Sequence, residues 1–348
     1  MVKQIILAST PTGLPVPELG KPDSTFELKQ VELPELKENQ VLIQTLYISN
    51  DPAQRGWIAS DVNPDRHYVS PTQPGQIMPA SGIGRVLKST SPSIKEGSLV
   101  QTSTGWTEQR VVDAKSVHPI PNLPGFKPSV FLGALGVPGL TAYFGLKDVC
   151  KLEEGQKVII SAAAGATGNV AVQLAKNVFK ASKVIAIAGS DEKCEWLKKI
   201  GADVALNYKS SSFHSDLAAA AGPSFVDCYF DNVGGDILDT CLTLIKKNGR
   251  VAACGAISTY NGDSLVLKNW AEIILCRIII EGFIVLDYYH RRDEAINVLT
   301  TAVKEGKLVI SEAETLVPCP EFGKIPEIWM RLFSGKNTGK LVTQVADL

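Results

Sequence analysis

The residues that could do chemistry begin at a turn reading Ala162-Ala-Ala-Gly165-Ala-Thr-Gly168. The β-branched run Val158-Ile-Ile leads into it, and a helix-forming run from Asn169 to Lys176 leads out. A strand, a tight turn and a helix N-terminus in that order present a row of backbone N–H groups, an arrangement that can seat a pyrophosphate. The dinucleotide fingerprint is G-x-G-x-x-G, and here alanine stands for its first glycine. Gly165 would let the backbone approach the pyrophosphate, flanked by Ala164 and Thr167, and Gly168 would let the helix pack close to the strand. A glycine pair is weak alone and gains weight from its strand–turn–helix setting. The plain alternative is an ordinary turn of small residues.

A second apolar run, Val184-Ile-Ala-Ile-Ala188, ends in Gly189-Ser190-Asp191-Glu192-Lys193. NAD-preferring folds end this strand in an acid that bonds the ribose 2′-hydroxyl. Gly189 and Ser190 remove that acid, and Lys193 supplies a cation suited to a 2′-phosphate, so the pattern favours NADPH. The plain alternative for Lys193 is a solvent-facing helix lysine. Asp191 and Glu192 suit the first turn of a helix and could also point at the ribose. Two further polar or small-residue turns follow apolar strands. They are Asp231-Asn232-Val233-Gly234-Gly235 and Cys254-Gly255-Ala256-Ile257-Ser258. Turns at strand C-termini in such sheets face the cofactor, although either could be a simple loop.

The elements that must hold these turns can be read from the pattern. Up to about residue 125 the chain is rich in Pro and Gly, with short apolar segments at 4–7, 41–48, 82–87 and 110–112, which predicts a β-rich domain. Beyond Pro138-Gly139, apolar strands alternate with amphipathic helices, which predicts a parallel sheet covered on both faces. The pattern predicts strands at 157–161, 183–188, 204–207, 225–230, 250–254 and 278–285. It predicts helices at 140–149, 169–179, 191–200, 212–221, 236–247, 269–274 and 292–304. The tail predicts a strand at 308–310, a helix at 325–334 and a strand at 340–345. It is too small to bury its own core, so it should rejoin the first domain and leave a cleft between the two domains. The expected division is 1–125 with 307–348, and 126–306.

The chain has 348 residues, 45% hydrophobic and 20% charged, with a net charge of −1. A substantial core is expected, and no basic surplus points to nucleic acid or an anionic membrane. No apolar run approaches the roughly 20 residues of a transmembrane helix, and the N-terminus lacks a signal peptide's apolar core. Seven scattered cysteines, an odd count without C-x-x-C spacing, read as free thiols in a reducing cytoplasm. The four histidines show no ligand spacing, so no metal site is expected.

The chain resembles the zinc-independent medium-chain dehydrogenase/reductases, and within them the prostaglandin reductase/leukotriene B4 hydroxydehydrogenase and alkenal double-bond reductase group. The motifs that carry the resemblance are Asn50-Asp-Pro-Ala-Gln-Arg-Gly56, Val137-Pro-Gly-Leu-Thr-Ala-Tyr-Phe-Gly-Leu146 and Ala162 to Gly168, then Ala188-Gly-Ser-Asp-Glu-Lys193 and Asn207-Tyr-Lys209. They continue through Tyr229-Phe-Asp-Asn-Val-Gly-Gly235, Cys254-Gly-Ala-Ile-Ser-Thr-Tyr-Asn261 and Asn337-Thr-Gly-Lys340. The resemblance implies an α/β chain: a Rossmann doubly wound parallel sheet plus a GroES-like β-rich domain. It implies a homodimer and NADPH-dependent reduction of the double bond of a small enal or enone.

By position, Lys193 and Tyr208 resemble the 2′-phosphate contacts, Asn232 and Asn337 line the cofactor, and Tyr260 stands near the nicotinamide ribose and the substrate carbonyl. Where zinc relatives carry metal ligands, this chain has Asn50-Asp51 and Ser81-Gly-Ile-Gly-Arg85, so hydrogen bonds must polarise the carbonyl. Tyr260 is the first candidate donor and Tyr68 the second; either could instead only pack. Tyr288 and Tyr289 read as packing residues, Arg55 as a structural ion pair, and residues 138–143 as lining the hinge and the cofactor pocket. Ala53-Gln54 replaces the Tyr-Met of many relatives, which puts the substrate's size in question. An NADPH quinone reductase and a cofactor-binding protein without turnover are the alternatives.

Overall fold

The computed structural model describes residues 1–59, 63–262 and 266–348. It divides into two compact units, one formed by Met1–Leu132 with Thr315–Leu348 and the other by Gly133–Glu314.

The second unit is built on a six-stranded sheet. Its spatial order is Val204–Asn207, Lys183–Ala188, Lys157–Ile160, Val226–Asp231, Ile245–Ala253, Ile279–Gly282. Every neighbouring pair is parallel. The first strand of this unit in sequence, Lys157–Ile160, therefore lies mid-sheet, and the sequence runs outward to one side and then to the other. That is the doubly wound order, whose ligand crevice opens at the strand C-termini where the order reverses. The central strands Lys183–Ala188, Lys157–Ile160 and Val226–Asp231 are buried on both faces, as covered parallel strands must be. Ile159, Ile185, Tyr229 and Val251 are fully buried in one cluster with Leu217 and Leu242.

The first unit is β-rich. Its larger sheet runs Glu314–Pro318, Lys340–Gln344, Gln40–Ser49, Ser81–Ser89, Leu99–Ser103, His118–Pro119, with Gln109–Asp113 also paired to Gln40–Ser49. Val2–Leu7 and Phe26–Val31 form a separate antiparallel pair. Phe26, Trp106 and Trp329 meet at centroid distances of 5.1 to 6.0 Å in its core. The tail supplies Lys340–Gln344, which pairs antiparallel with Gln40–Ser49.

Two expected elements differ. Residues 308–310 form no strand, because the buried side chain of Gln173 occupies the backbone of Val309. Its Oε1 accepts from Val309 N at 2.6 Å, and its Nε2 donates to Val309 O at 3.1 Å. The tail strand is Glu314–Pro318 instead. The expected helix 236–247 ends at Leu242, and Ile245 enters the sheet opposite Val226. Asn248 has φ 63°, so sheet pairing and a left-handed residue override helix propensity there.

Candidate active site

The turn after Lys157–Ile160 lies at the reversal point of the sheet. Ala162 sits in the left-handed region, φ 44°, which costs a non-glycine residue about 1–2 kcal/mol. Its carbonyl then faces the start of helix Ala166–Asn177. A Cβ on Gly168 would stand 2.3 Å from Ala162 O and 2.6 Å from Ala163 Cα, so no side chain fits without moving backbone. Gly165 is the N-cap, in extended conformation, and no side chain caps the helix. The first N–H groups of this helix are therefore presented by backbone geometry alone. Ala164 is buried and Thr167 half-buried beside them. Asn169, buried one turn on, donates through Nδ2 to Gly165 O (2.7 Å) and Ala166 O (3.0 Å), which braces the turn from inside.

At the end of the neighbouring strand, Ser190 caps helix Asp191–Lys199, its hydroxyl accepting from Lys193 N at 3.3 Å. The Tyr208 ring lies against Gly189, where an added Cβ would stand 3.0 Å from it. Lys193 is held below its ordinary pKa by burial and by the nearby positive charge of Lys209. Lys209 Nζ in turn stands 5.7 Å from the Tyr208 ring centroid. Two cations, one of them partly desolvated, thus converge beside an aromatic ring. Of the two acids that could have faced a ribose, Asp191 accepts from Asn207 Nδ2 at 2.9 Å and Glu192 is exposed.

The turns at 231–235 and 254–260 brace each other. Asp231 Oδ1 accepts from Tyr229 OH (2.6 Å), Ser161 Oγ (3.2 Å), Val233 N (2.9 Å) and Gly234 N (2.9 Å). Burial pushes the carboxyl above the usual carboxylate range even so. Asn232 Nδ2 donates to Ser161 O at 2.8 Å, which ties its side chain to the neighbouring strand end. Cys254 N donates to Asp231 O at 2.8 Å, and burial pushes the Cys254 thiol to about 12, far from thiolate chemistry. Ile257 N donates to Asn232 O at 3.4 Å. Ala256 N donates to the Tyr260 hydroxyl at 3.3 Å, which folds the phenol back over its own turn. A short Val285–Arg291 helical segment follows, in which Tyr288 stacks on Phe144 at 4.9 Å and Tyr289 is exposed.

The first unit carries Tyr68 and Asn337. Tyr68 is 43% exposed, stacks on His67 at 5.0 Å, and accepts from Trp57 Nε1 at 2.9 Å. Burial raises its phenol above the ordinary value, so it stays protonated near neutrality. Asn337 donates to Gly339 O at 2.9 Å in the turn before the last strand. Within this unit the motif at 50–56 meets the motif at 337–340. Lys340, only 2% exposed, donates to Asn50 O (2.6 Å) and Asp51 Oδ1 (2.7 Å), while Ser49 Oγ bonds Asp51 Oδ2 at 2.6 Å. Arg55 donates to Pro11 O and Gly13 O, which makes it a structural clamp for an incoming loop. Gln54 is fully buried between Pro79 O and Asp51 N, so it builds the loop and lines no substrate surface. Among the described residues no group of three or more His, Cys, Asp or Glu could hold a metal ion.

Sequence reasoning missed Lys209, Asn169 and the Ser161–Tyr229–Asp231 network. Lys209 lies within Asn207-Tyr208-Lys209, and its charge is the signal that could have found it. The other groups act through burial, which no local pattern announces.

Comparison with known proteins fits this geometry. The profile described as "N-terminal domain of oxidoreductase" matches residues 3–120, and the one described as "Zinc-binding dehydrogenase" matches 166–301. An uncharacterized membrane protein of Saccharomyces cerevisiae is 40% identical, over 99% of this chain and 98% of its own. No helix among the described residues here is long and apolar enough to cross a membrane. Prostaglandin reductase 1 of Bos taurus is 38% identical over 92% of this chain and 94% of its own. The 2-alkenal reductase (NADP(+)-dependent) of Nicotiana tabacum is 36% identical over 99% and 97%. CurA of Vibrio vulnificus, solved in complex with NADPH, superposes with a TM-score of 0.88 at 31% identity, over 99% of this chain and all of its own. The chain belongs to the zinc-independent medium-chain dehydrogenase/reductases, in the prostaglandin reductase and alkenal reductase group.

Proposed function

We propose that this protein reduces the carbon–carbon double bond of α,β-unsaturated aldehydes and ketones, with NADPH as cofactor and without zinc. It is an oxidoreductase acting on CH–CH groups. The observation that carries the reading is the convergence of Lys193, Lys209 and Tyr208 beside the acid-free strand end at Gly189. It occurs in a chain 36% identical to a relative named for NADP-dependent alkenal reduction.

This chain's residues fit that cofactor. Backbone N–H groups at Gly165 to Gly168 suit a pyrophosphate, because the helix start carries no side-chain cap. Lys193 and Lys209 suit a 2′-phosphate, whose charge would relieve the repulsion between them. Asn232, Cys254, Ala256 and Ile257 would hold the nicotinamide half through their braced turns, and Asn337 is the further cofactor contact that the family resemblance implies.

Bound there, NADPH supplies a hydride to the β-carbon of the substrate. As the double bond shifts, negative charge gathers on the carbonyl oxygen, and a preplaced phenol O–H stabilises it. Tyr260 is the first such donor and Tyr68 the second. The α-carbon then takes a proton from a tyrosine or from water. We place the protein in the cytoplasm as a homodimer. Seven free thiols suit a reducing compartment. The edge strand Ile279–Gly282 exposes Ile279 and Ile280 close in sequence to exposed Trp270, Ile274 and Leu275, an apolar edge that a second copy would cover.

The test is a panel of enals, enones and quinones followed by NADPH absorbance. Fast consumption with enals and enones, yielding saturated carbonyl products, supports the reading. Turnover confined to quinones would replace it with a quinone reductase. Tight NADPH binding with no turnover would replace it with a non-catalytic binder.

A further inference from the structure

Trp57 stands at the end of the short helix Gln54–Trp57, and its backbone and side chain both engage the segment that carries Tyr68. Its carbonyl accepts from Thr72 N at 2.8 Å, which closes the segment at its far end. Its indole N–H donates to the Tyr68 hydroxyl at 2.9 Å. His67 stacks on the Tyr68 ring at 5.0 Å with an 18° interplanar angle, and its Nδ1 is tied to Val69 O at 2.8 Å. That bond requires the hydrogen on Nδ1, because a carbonyl can only accept. The phenol of Tyr68 is thus fixed in position by one donor and one stacked ring, although the residue is 43% exposed.

An indole nitrogen donates and never accepts, so Tyr68 must serve as acceptor in this pair. Its own hydrogen is then directed elsewhere, and the incoming bond polarises the O–H and makes it a better donor. We propose that Trp57 is the positioning residue for Tyr68, holding its hydroxyl as a committed hydrogen-bond donor toward the carbonyl oxygen of the substrate. The inference rests on the reading of Tyr68 as a donor in enal reduction. Trp57 acts through Tyr68, and its removal is felt only while the phenol is present.

The experiment is a double-mutant cycle on the full chain, with NADPH and 2-hexenal as substrates, comparing wild type, Trp57→Phe, Tyr68→Phe and the double variant. Phenylalanine keeps an aromatic ring at the position but removes the indole N–H together with the pyrrole part of the side chain, and the comparison of the two backgrounds separates the lost bond from the lost volume. Trp57→Phe should lower kcat by roughly three- to tenfold, the worth of one neutral hydrogen bond, with KM for NADPH unchanged. In the Tyr68→Phe background the same substitution should cost nothing further. An equal loss in both backgrounds would make Trp57 a wall of the substrate site and overturn the inference alone. An unchanged kcat in Trp57→Phe would overturn it as well. If Tyr68→Phe itself leaves turnover intact, the donor role of Tyr68 and this inference fall while enal reduction stands; if the wild type does not reduce the enal, the functional reading fails and the inference falls with it.

Discussion

Gly168 and Gly165 stand three residues apart in one turn, yet their substitution should break different things. A Cβ at position 168 would lie 2.3 Å from Ala162 O, and real Cβ contacts essentially never fall below 3.0 Å. Backbone must therefore move by about 0.7 Å, the difference of those two distances, and the atoms in the way belong to the turn itself. Ala162 is already strained at φ 44°, so the turn has little room to give. Overpacking of this kind costs about 1–3 kcal/mol, and at roughly 2–4 °C per kcal/mol for a unit of this size the melting temperature should fall by roughly 2–12 °C. At position 165 the nearest atom would stand 3.1 Å away, which needs only a few tenths of an ångström. Gly165→Ala should therefore melt within about 2 °C of wild type. It should nevertheless weaken NADPH by roughly tenfold or more, because a methyl group would stand where the pyrophosphate approaches the backbone. Calorimetry for stability and fluorescence titration for NADPH separate the two effects. A Gly168→Ala protein with unchanged melting, or a Gly165→Ala protein with unchanged NADPH affinity, would refute this reasoning.

Three further outcomes follow from the same geometry. Lys193→Ala should raise KM for NADPH by roughly 10- to 100-fold, the worth of a charge-assisted contact, and leave that for NADH within about twofold; equal effects on both would remove the 2′-phosphate role. Tyr260→Phe should lower kcat by roughly 10²-fold with NADPH affinity nearly unchanged, and unaltered turnover would remove it from the chemistry. Glu294 accepts from Arg291 and Tyr143 and pairs with Lys147, and the Arg291 guanidinium first among them holds its carboxyl at about 2, below its usual 4.5. A depressed folded pKa stabilises above the unfolded value, so the stability gap between wild type and Glu294→Gln should be full above pH 4.5. It should close as pH falls toward about 2, as read by chemical denaturation across that range; a gap independent of pH would contradict the assignment.

Most strands of the parallel sheet were legible because parallel strands leave a strong mark. Val184 to Ala188 and Val158 to Ile160 are continuous apolar runs bounded by turn residues, and nothing competes with that pattern. Lys193 stands out as a candidate for a similar reason, since the acid expected at a fixed place is absent and a cation lies three residues beyond Ser190. What escaped was decided by contacts distant in sequence. Val309 reads as a strand residue until Gln173, 136 residues away, takes both of its backbone groups. Gln54 reads as a substrate-facing substitution until its amide is found buried between Pro79 and Asp51. The pairing of Asp51 with a buried Lys340 likewise joins motifs 289 residues apart, and only folding brings them together.

The central claim is that reducing equivalents from NADPH reach the β-carbon of a conjugated carbonyl. The direct measurement uses NADPH deuterated at the transferring position, wild-type protein and 2-hexenal, with the product examined by mass spectrometry and NMR. The account predicts hexanal formed mole for mole with NADPH consumed, with deuterium on the former β-carbon. Deuterium on the carbonyl carbon of an allylic alcohol, with the double bond retained, would contradict it.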